Sequence, residues 1–131
     1  MEKEKLITHW DEKNQVACIK LIGEFDDEHA RIAVGKEREF MDELEESDIV
    51  LKKVMYDITE AGDATDKAKR IFAGFAKSVA NNFRDIKFAY VGNNKLAMMV
   101  SMFIHRISGI GEVKFFKNEK KAKEWLNKFK I

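Results

Sequence analysis

Acidic and hydroxyl side chains cluster in one short segment of the chain. The stretch DITEAGDATD contains Asp57, Thr59, Asp63 and Thr65, and it follows the apolar run VMY. A threonine hydroxyl at the start of a helix suits a phosphate, because free backbone N–H groups there favour negative charge. Thr65 lies at such a predicted helix start, where it is also a good helix cap, and Thr59 lies further back in the same stretch. We favour capping, since Asp66 would repel an added phosphate.

Carboxylates from three loops could also meet at one edge of a sheet. If the strands before these loops are parallel, the loops lie at a common carboxyl edge, where open α/β sheets often bind ligands. The loops and the strand end beside them supply Glu24, Asp26, Asp27, Asp57, Glu60, Asp63 and Lys95. Such a cluster could hold magnesium, or resemble a phosphoacceptor aspartate beside an acid pair and a lysine. We favour solvated caps and turns, because no phosphate-cradling glycine pattern is present, and we predict no metal and no cofactor.

Groups for covalent catalysis or zinc binding are not recognisable. The histidines His9, His29 and His105 lack ligand spacing. Cys18 lies within a predicted strand without a nearby base, and no serine has the nucleophile-elbow pattern. We therefore predict that the protein is not an enzyme.

Length and composition indicate one globular domain over residues 1–131. Hydrophobic residues make up 45% of the chain and charged residues 36%, which is typical of a folded domain. The formal net charge of +1 gives no long-range reason to expect nucleic acid or an acidic membrane as a partner. A single cysteine, no apolar leader and no apolar run of 18 residues predict a cytoplasmic protein that is not transmembrane.

The hydrophobic pattern predicts an α/β fold. Strands are predicted at 6–10, 16–22, 54–58, 86–91 and 113–116, and helices at 28–46, 66–83, 95–107 and 119–129. The turn DEKN makes the first two strands an antiparallel hairpin. The alternation that follows predicts a mixed, mostly parallel five-stranded sheet with right-handed crossovers and four helices. The first helix presents Ala33, Phe40 and Leu44 on its buried face, while charged residues including Glu37 fill the rest.

The helix predicted at 95–107 has more apolar side chains than a surface helix needs. Its expected core stripe contains Leu96, Met99, Val100, Phe103, Ile104 and Ile107. Met98 and Met102 fall off that stripe, near Ser101 and His105. These methionines complete a broad core, or the helix pairs with its twin in a homodimer, or it lines an apolar pocket. The pocket would be completed by Phe72, Phe75 and Phe83 of the preceding helix.

Several segments resemble the SpoIIAA-like family, which has the STAS fold. They are GEFDDEH, VMYDITEAG, IKFAYVGN and the tail VKFFKNEKKAKEWL, and together they extend over nearly the whole chain. The family takes its name from a sporulation anti-sigma factor antagonist. The resemblance implies a small α/β domain without known enzymatic activity. It also implies binding of a protein, or of an apolar ligand or lipid.

The resemblance leaves two functions open. The first is a non-catalytic module, homodimeric, that binds an apolar small molecule, a lipid or a protein partner. The second is a phospho-regulated anti-sigma factor antagonist that acts through the loop 59–65. Phospho-switched antagonists carry an aspartate, serines and a glycine there, whereas this chain has Asp63-Ala64-Thr65-Asp66. Thr65 is the nearest equivalent of the phosphoacceptor, with Thr59 behind it, and we favour the first function.

Overall fold

The centre of the molecule is a five-stranded sheet. The computed structural model describes residues 4–82, 86–108 and 113–129. Its strands lie in sequence order: β1 (Leu6–Asp11), β2 (Val16–Phe25), β3 (Lys53–Ala64), β4 (Lys87–Val91) and β5 (Val113–Phe116). β1 is antiparallel to β2, and the pairs from β2 to β5 are parallel. The predicted hairpin and mostly parallel sheet are confirmed.

Four helices cover the two faces of this sheet. They are α1 (Asp27–Glu46), α2 (Asp66–Asn82), α3 (Lys95–Ser108) and α4 (Glu119–Leu126). The first three join successive parallel strands, and they pack on the same face because the strand order is sequential and the crossovers share one hand. α4 packs on the opposite face. Side chains of β3 alternate accordingly, with Tyr56 facing the three-helix layer and Met55 facing α4.

The segment predicted as a loop at 59–65 is largely β-strand. β3 continues to Ala64, and β2 continues past Ile22 to Phe25, where Phe25 pairs with Ala64. The loop prediction was wrong because ladder pairing uses backbone groups, and polar side chains are tolerated where this part of the sheet is exposed. An ion pair of 2.6 Å between Lys20 Nζ and Glu60 Oε2 also joins the two strands.

The last helix is fixed to the first hairpin by polar contacts. Lys123 Nζ lies 2.7 Å from Asp11 Oδ2 and 2.9 Å from Glu119 Oε1. Asn127 Nδ2 donates to Asn14 Oδ1 over 2.9 Å. Burial raises the pKa of Asp11, but hydrogen bonds from Asn14 and Lys123 outweigh it and lower that pKa to about 2. These contacts hold α4 in register over the sheet.

We expect Leu126→Ala to destabilise the protein strongly. Leu126 is fully buried beside Val16, Met55 and Ala89, so truncation leaves a cavity. The free energy of unfolding should fall by about 2–5 kcal/mol, as for other buried leucines. Urea denaturation measures it, with Lys120→Ala on the exposed side of α4 as the control. A loss no larger than that of the control would contradict tight packing under α4.

Candidate functional site

A cavity of about 60 Å³ lies between the sheet and helices α2 and α3. α2 contributes Phe72 and Phe75, so two of the predicted pocket residues do meet here. The other predicted phenylalanine, Phe83, lies outside the described residues. The remaining apolar lining comes from β2, β3, β4 and α3, and it includes Phe25, Ile58, Phe88, Val100 and Ile104. This cavity (the inner cavity below) is largely hydrophobic.

One carboxyl group lines the inner cavity. Glu37 of α1 is only 1% exposed, and the Tyr56 hydroxyl donates to its Oε2 over 3.0 Å. Burial raises the pKa of Glu37 to about 8, although the bond from Tyr56 acts in the opposite direction. The side chain is therefore a neutral carboxylic acid at pH 7. The sequence placed Glu37 on the solvent face of its helix, which was wrong.

A second polar pair lines the same cavity. The hydroxyl of Tyr90 and Nε2 of His105 are 2.5 Å apart and share a hydrogen bond. Burial lowers the pKa of His105 to about 4, so the imidazole is neutral at pH 7. His105, predicted as part of an apolar ligand or dimer surface, is a buried wall of the cavity. Together with neutral Glu37, this pair leaves the lining of the cavity without net charge.

The structure buries a different face of α3 from the one that the helical-wheel analysis of the sequence predicted. Ala97, Ser101 and His105 face the core, and Met98 packs partly buried against it. The predicted core residue Met99 is instead 68% exposed, and Leu96, Met102 and Phe103 are also exposed. The aromatic rings beneath α3 explain this, because they occupy much of the space over the strands. The side chains that face them are the small Ala97 and Ser101 and the ring of His105, which packs edge-on against Phe88 and Tyr90.

Those rings form a continuous stack across three strands. The ring of Tyr90 lies 5.1 Å from that of Tyr56 and 5.1 Å from that of Phe115, with the rings nearly parallel. Tyr56 also stacks on Phe88 at 6.3 Å. Such aromatic pairs stabilise the folded protein beyond the contribution from burying their apolar surface. α3 therefore lies on an aromatic floor.

The exposed side of α3 forms a groove beside α2. Its apolar surface comes from Leu96, Met99, Val100, Met102 and Phe103. Asp63, Lys69 and Arg106 border it, and Lys69 Nζ lies 5.6 Å from the centre of the Phe103 ring. Val100 lines both this groove (the outer groove below) and the inner cavity. Met102, predicted as a binding residue, lies in the outer groove.

Charge is separated among the helices on this face. α2 and α3 together carry six basic residues and one acidic residue, whereas α1 carries three basic and eight acidic residues, of which Glu37 is neutral. The net charge of +1 conceals this separation. The outer groove is thus apolar with a basic surround, and basic surfaces attract anions.

The two candidate phosphoacceptors both donate to carboxylates. Thr65 Oγ1 accepts from the N–H of Ala68 over 3.0 Å, which makes Thr65 a helix cap, and its hydroxyl donates to Asp27 Oδ1 over 2.8 Å. The Thr59 hydroxyl donates to Asp57 Oδ1 over 2.6 Å. A phosphate on either residue would meet a carboxylate already in contact. Phosphorylation of Thr59 or Thr65 stays a prediction.

We expect Thr65→Ala to destabilise the protein modestly. The change removes the cap of α2 and the bond to Asp27, and losing a threonine cap costs about 1–2 kcal/mol. Thr65→Ser keeps the hydroxyl and should retain most of the stability. Thermal unfolding of the two variants measures the difference, and equal melting temperatures would refute the capping role.

The acidic edge does not form a metal site in the described ranges. Asp57 Oδ1 also accepts the N–H of Thr59, and Asp63 Oδ1 accepts the N–H of Ala64. Neither carboxylate shares a hydrogen bond or ion pair with Lys95 in the part of the chain that the structure covers. Across residues 4–82, 86–108 and 113–129, no three His, Cys, Asp or Glu side chains converge on a point suited to a metal ion. Nor does any helix there have the length and hydropathy to span a bilayer.

Comparison with solved structures identifies the fold. An uncharacterised protein of the DUF3478 family with a SpoIIAA-like fold, from Shewanella loihica, has a TM-score of 0.66 to this chain, with 92% of this chain and 91% of that one covered. This chain has a SpoIIAA-like fold. The identity to that protein is 17%. The predicted resemblance in fold is therefore confirmed.

A second SpoIIAA-like structure agrees. The anti-sigma factor antagonist SpoIIAA in its unphosphorylated form has a TM-score of 0.62 to this chain at 12% identity, with 95% of this chain and 99% of that one covered. The SpoIIAA-like architecture thus extends over nearly all of both chains. No family model and no curated protein matches the sequence.

Proposed function

We propose that this chain is a non-catalytic STAS-type binding module that binds anionic lipid through the outer groove. The observation that carries the proposal is the exposed face of α3, where four large apolar side chains lie together beside a basic helix pair. Contiguous apolar surface rimmed by polar residues marks binding sites. The SpoIIAA-like fold supports a binding role, since STAS domains are mostly binding modules.

The energetics favour an amphiphile with a negative head. Burying Met99 and Phe103 in an apolar phase yields about 1.5–3 kcal/mol each. Each basic residue near an anionic lipid surface adds about 1 kcal/mol. Lys69 and Arg106 border the groove, and Lys95 is exposed at the start of α3. The apolar and electrostatic contributions act on the same face of the molecule.

The inner cavity is too small to hold the lipid chain. A cavity of roughly 150 Å³ accommodates benzene, whereas this one measures about 60 Å³. An acyl chain could enter only if α3 moved away from the aromatic floor. The outer groove needs no such movement, so it is the site that the proposal uses.

The basic residues around the outer groove disfavour the predicted homodimer through α3. If α3 paired with its twin, Lys95 and Arg106 of both copies would approach one another, and like charges repel. We therefore propose lipid over a second copy as the occupant. The homodimer, a protein partner, the phospho-regulated antagonist and a cytoplasmic location stay predictions.

Vesicle sedimentation tests the proposal. The protein should pellet with vesicles containing phosphatidylserine or phosphatidylglycerol, and remain in the supernatant with pure phosphatidylcholine. Raising the salt concentration should weaken binding, because screening shortens the reach of the basic residues. Equal recovery with charged and zwitterionic vesicles would refute the anionic specificity, and absence of binding to either would refute the function.

A further inference from the structure

The Glu37 carboxyl has hydrogen-bonding capacity that the protein does not use. A neutral carboxylic acid offers one donor and several acceptor positions. Within the described residues, the carboxyl takes part in one hydrogen bond, from Tyr56 to Oε2. Buried polar groups are normally satisfied by protein or by an enclosed molecule. Glu37 also lines the inner cavity, so its unused capacity is available to a molecule bound there.

The surroundings of Glu37 define what the cavity can accept. Most of the lining is aliphatic or aromatic, which favours an apolar group. Tyr56, Tyr90 and His105 are the other titratable side chains of the lining, and all three are engaged in hydrogen bonds. A charged molecule would lose its hydration without meeting an opposite charge, which is costly. An uncharged, mostly apolar molecule fits the apolar lining, and one hydrogen-bonding group on it can pair with Glu37.

We propose that the inner cavity binds a small uncharged molecule in which a short apolar chain carries one hydroxyl or amide group held by Glu37. The cavity volume of about 60 Å³ limits the molecule to a few heavy atoms, because benzene occupies cavities of roughly 150 Å³. This site lies beneath α3 and is distinct from the outer groove on its exposed side. It does not depend on lipid binding.

Two probes of matched size separate hydrogen bonding from simple filling of space. Titration with 1-propanol, followed by amide NMR shifts of Gly62, Ala76 and Ser101, should give saturable changes in the millimolar range. In 1-fluoropropane a fluorine of nearly the same size replaces the hydroxyl, and this probe should bind about tenfold more weakly, since only 1-propanol gains a hydrogen bond to the buried carboxyl. The comparison uses the unmodified protein, so it does not depend on the folding of a variant.

Two substitutions assign the preference to Glu37. Glu37→Gln keeps a donor and an acceptor and should retain the tenfold preference for 1-propanol. Glu37→Leu should bind both probes with equal affinity. A wild-type protein without saturable shifts, equal affinity of the wild type for the two probes, or a preference that survives in Glu37→Leu would each overturn the proposal. Vesicle binding is measured separately, so failure of one site is distinguishable from failure of the other.

Discussion

The double variant Met99→Glu, Phe103→Glu is expected to lose binding to anionic vesicles. Met99 is 68% and Phe103 45% exposed on α3, so the folded chain should tolerate the change. The variant loses about 3–6 kcal/mol of apolar burial in the lipid, judged from the burial of two large side chains. It also places two negative charges beside an anionic surface. The fraction of protein sedimented with phosphatidylserine vesicles should fall to the level seen with phosphatidylcholine.

A matched control excludes a general effect of added charge. Ile32→Glu, Val50→Glu introduces the same two charges at exposed apolar positions away from α3. This control should sediment nearly as well as the wild type. Circular dichroism and thermal unfolding confirm that both double variants are folded. If the α3 variant still sedimented with the vesicles, the outer groove would not be the lipid site.

Glu37→Gln is expected to abolish the fall in unfolding free energy that the wild type should show between pH 6.5 and 8. The folded-state pKa of Glu37 is about 8, above its usual value of 4.5. Between those values the folded chain holds a proton that the unfolded chain releases, so stability falls as pH rises through this window. His105 has the opposite effect, because its pKa of about 4 makes stability fall as pH drops from 6.5 to 4.

The contributions of Glu37 and His105 to the unfolding free energy have opposite pH dependence between pH 4.5 and 6.5. Above pH 6.5 the His105 contribution no longer changes with pH. From pH 6.5 to 8 only the Glu37 contribution remains, and the wild type should lose about 2 kcal/mol of unfolding free energy over this interval. Glu37→Gln has no ionisable group at this position, and its stability should stay level. Urea denaturation at pH 6.5, 7.2 and 8 measures both slopes. Parallel slopes would show that Glu37 is already ionised in the folded protein.

The order of helices and strands was predictable because each has a strong local signal. The strands of the first hairpin have runs of β-branched and apolar residues around the turn DEKN. Three helix starts have threonine or asparagine residues whose side chains cap the helix in the structure: Thr65, Asn94 and Asn118. The helix predicted to start at residue 28 starts one residue earlier, at Asp27, because Asp26 accepts the N–H of His29 and caps it.

The buried face of α3 was not predictable from the helix alone. Hydrophobicity selected Leu96, Met99 and Phe103 for the core, whereas the structure buries Ala97 and Ser101. The reason lies on other strands, where large rings already occupy the volume that a leucine or phenylalanine would need. A helical wheel contains no information about the surface against which the helix packs.

The burial of Glu37 did have a signal in the sequence. It lies four residues after Ala33 and four before Met41, on the same stripe as Leu44, and all of these are buried. A charged residue at such a position is rarely buried, because ionised carboxylates are costly to desolvate. Glu37 can be buried because the Tyr56 hydroxyl on β3 donates to it and because its raised pKa keeps it uncharged at pH 7. Both effects depend on contacts between residues far apart in the sequence.

The separation of acidic α1 from basic α2 and α3 gives the molecule an electric dipole moment along its helical layer. A body with such a moment experiences a torque in the field of a charged sheet. The protein should therefore rotate as it diffuses toward a negative interface, and arrive with α3 leading. Collisions with the membrane in which α3 makes the first contact would then be more frequent than for a randomly oriented molecule, even though the net charge is almost zero.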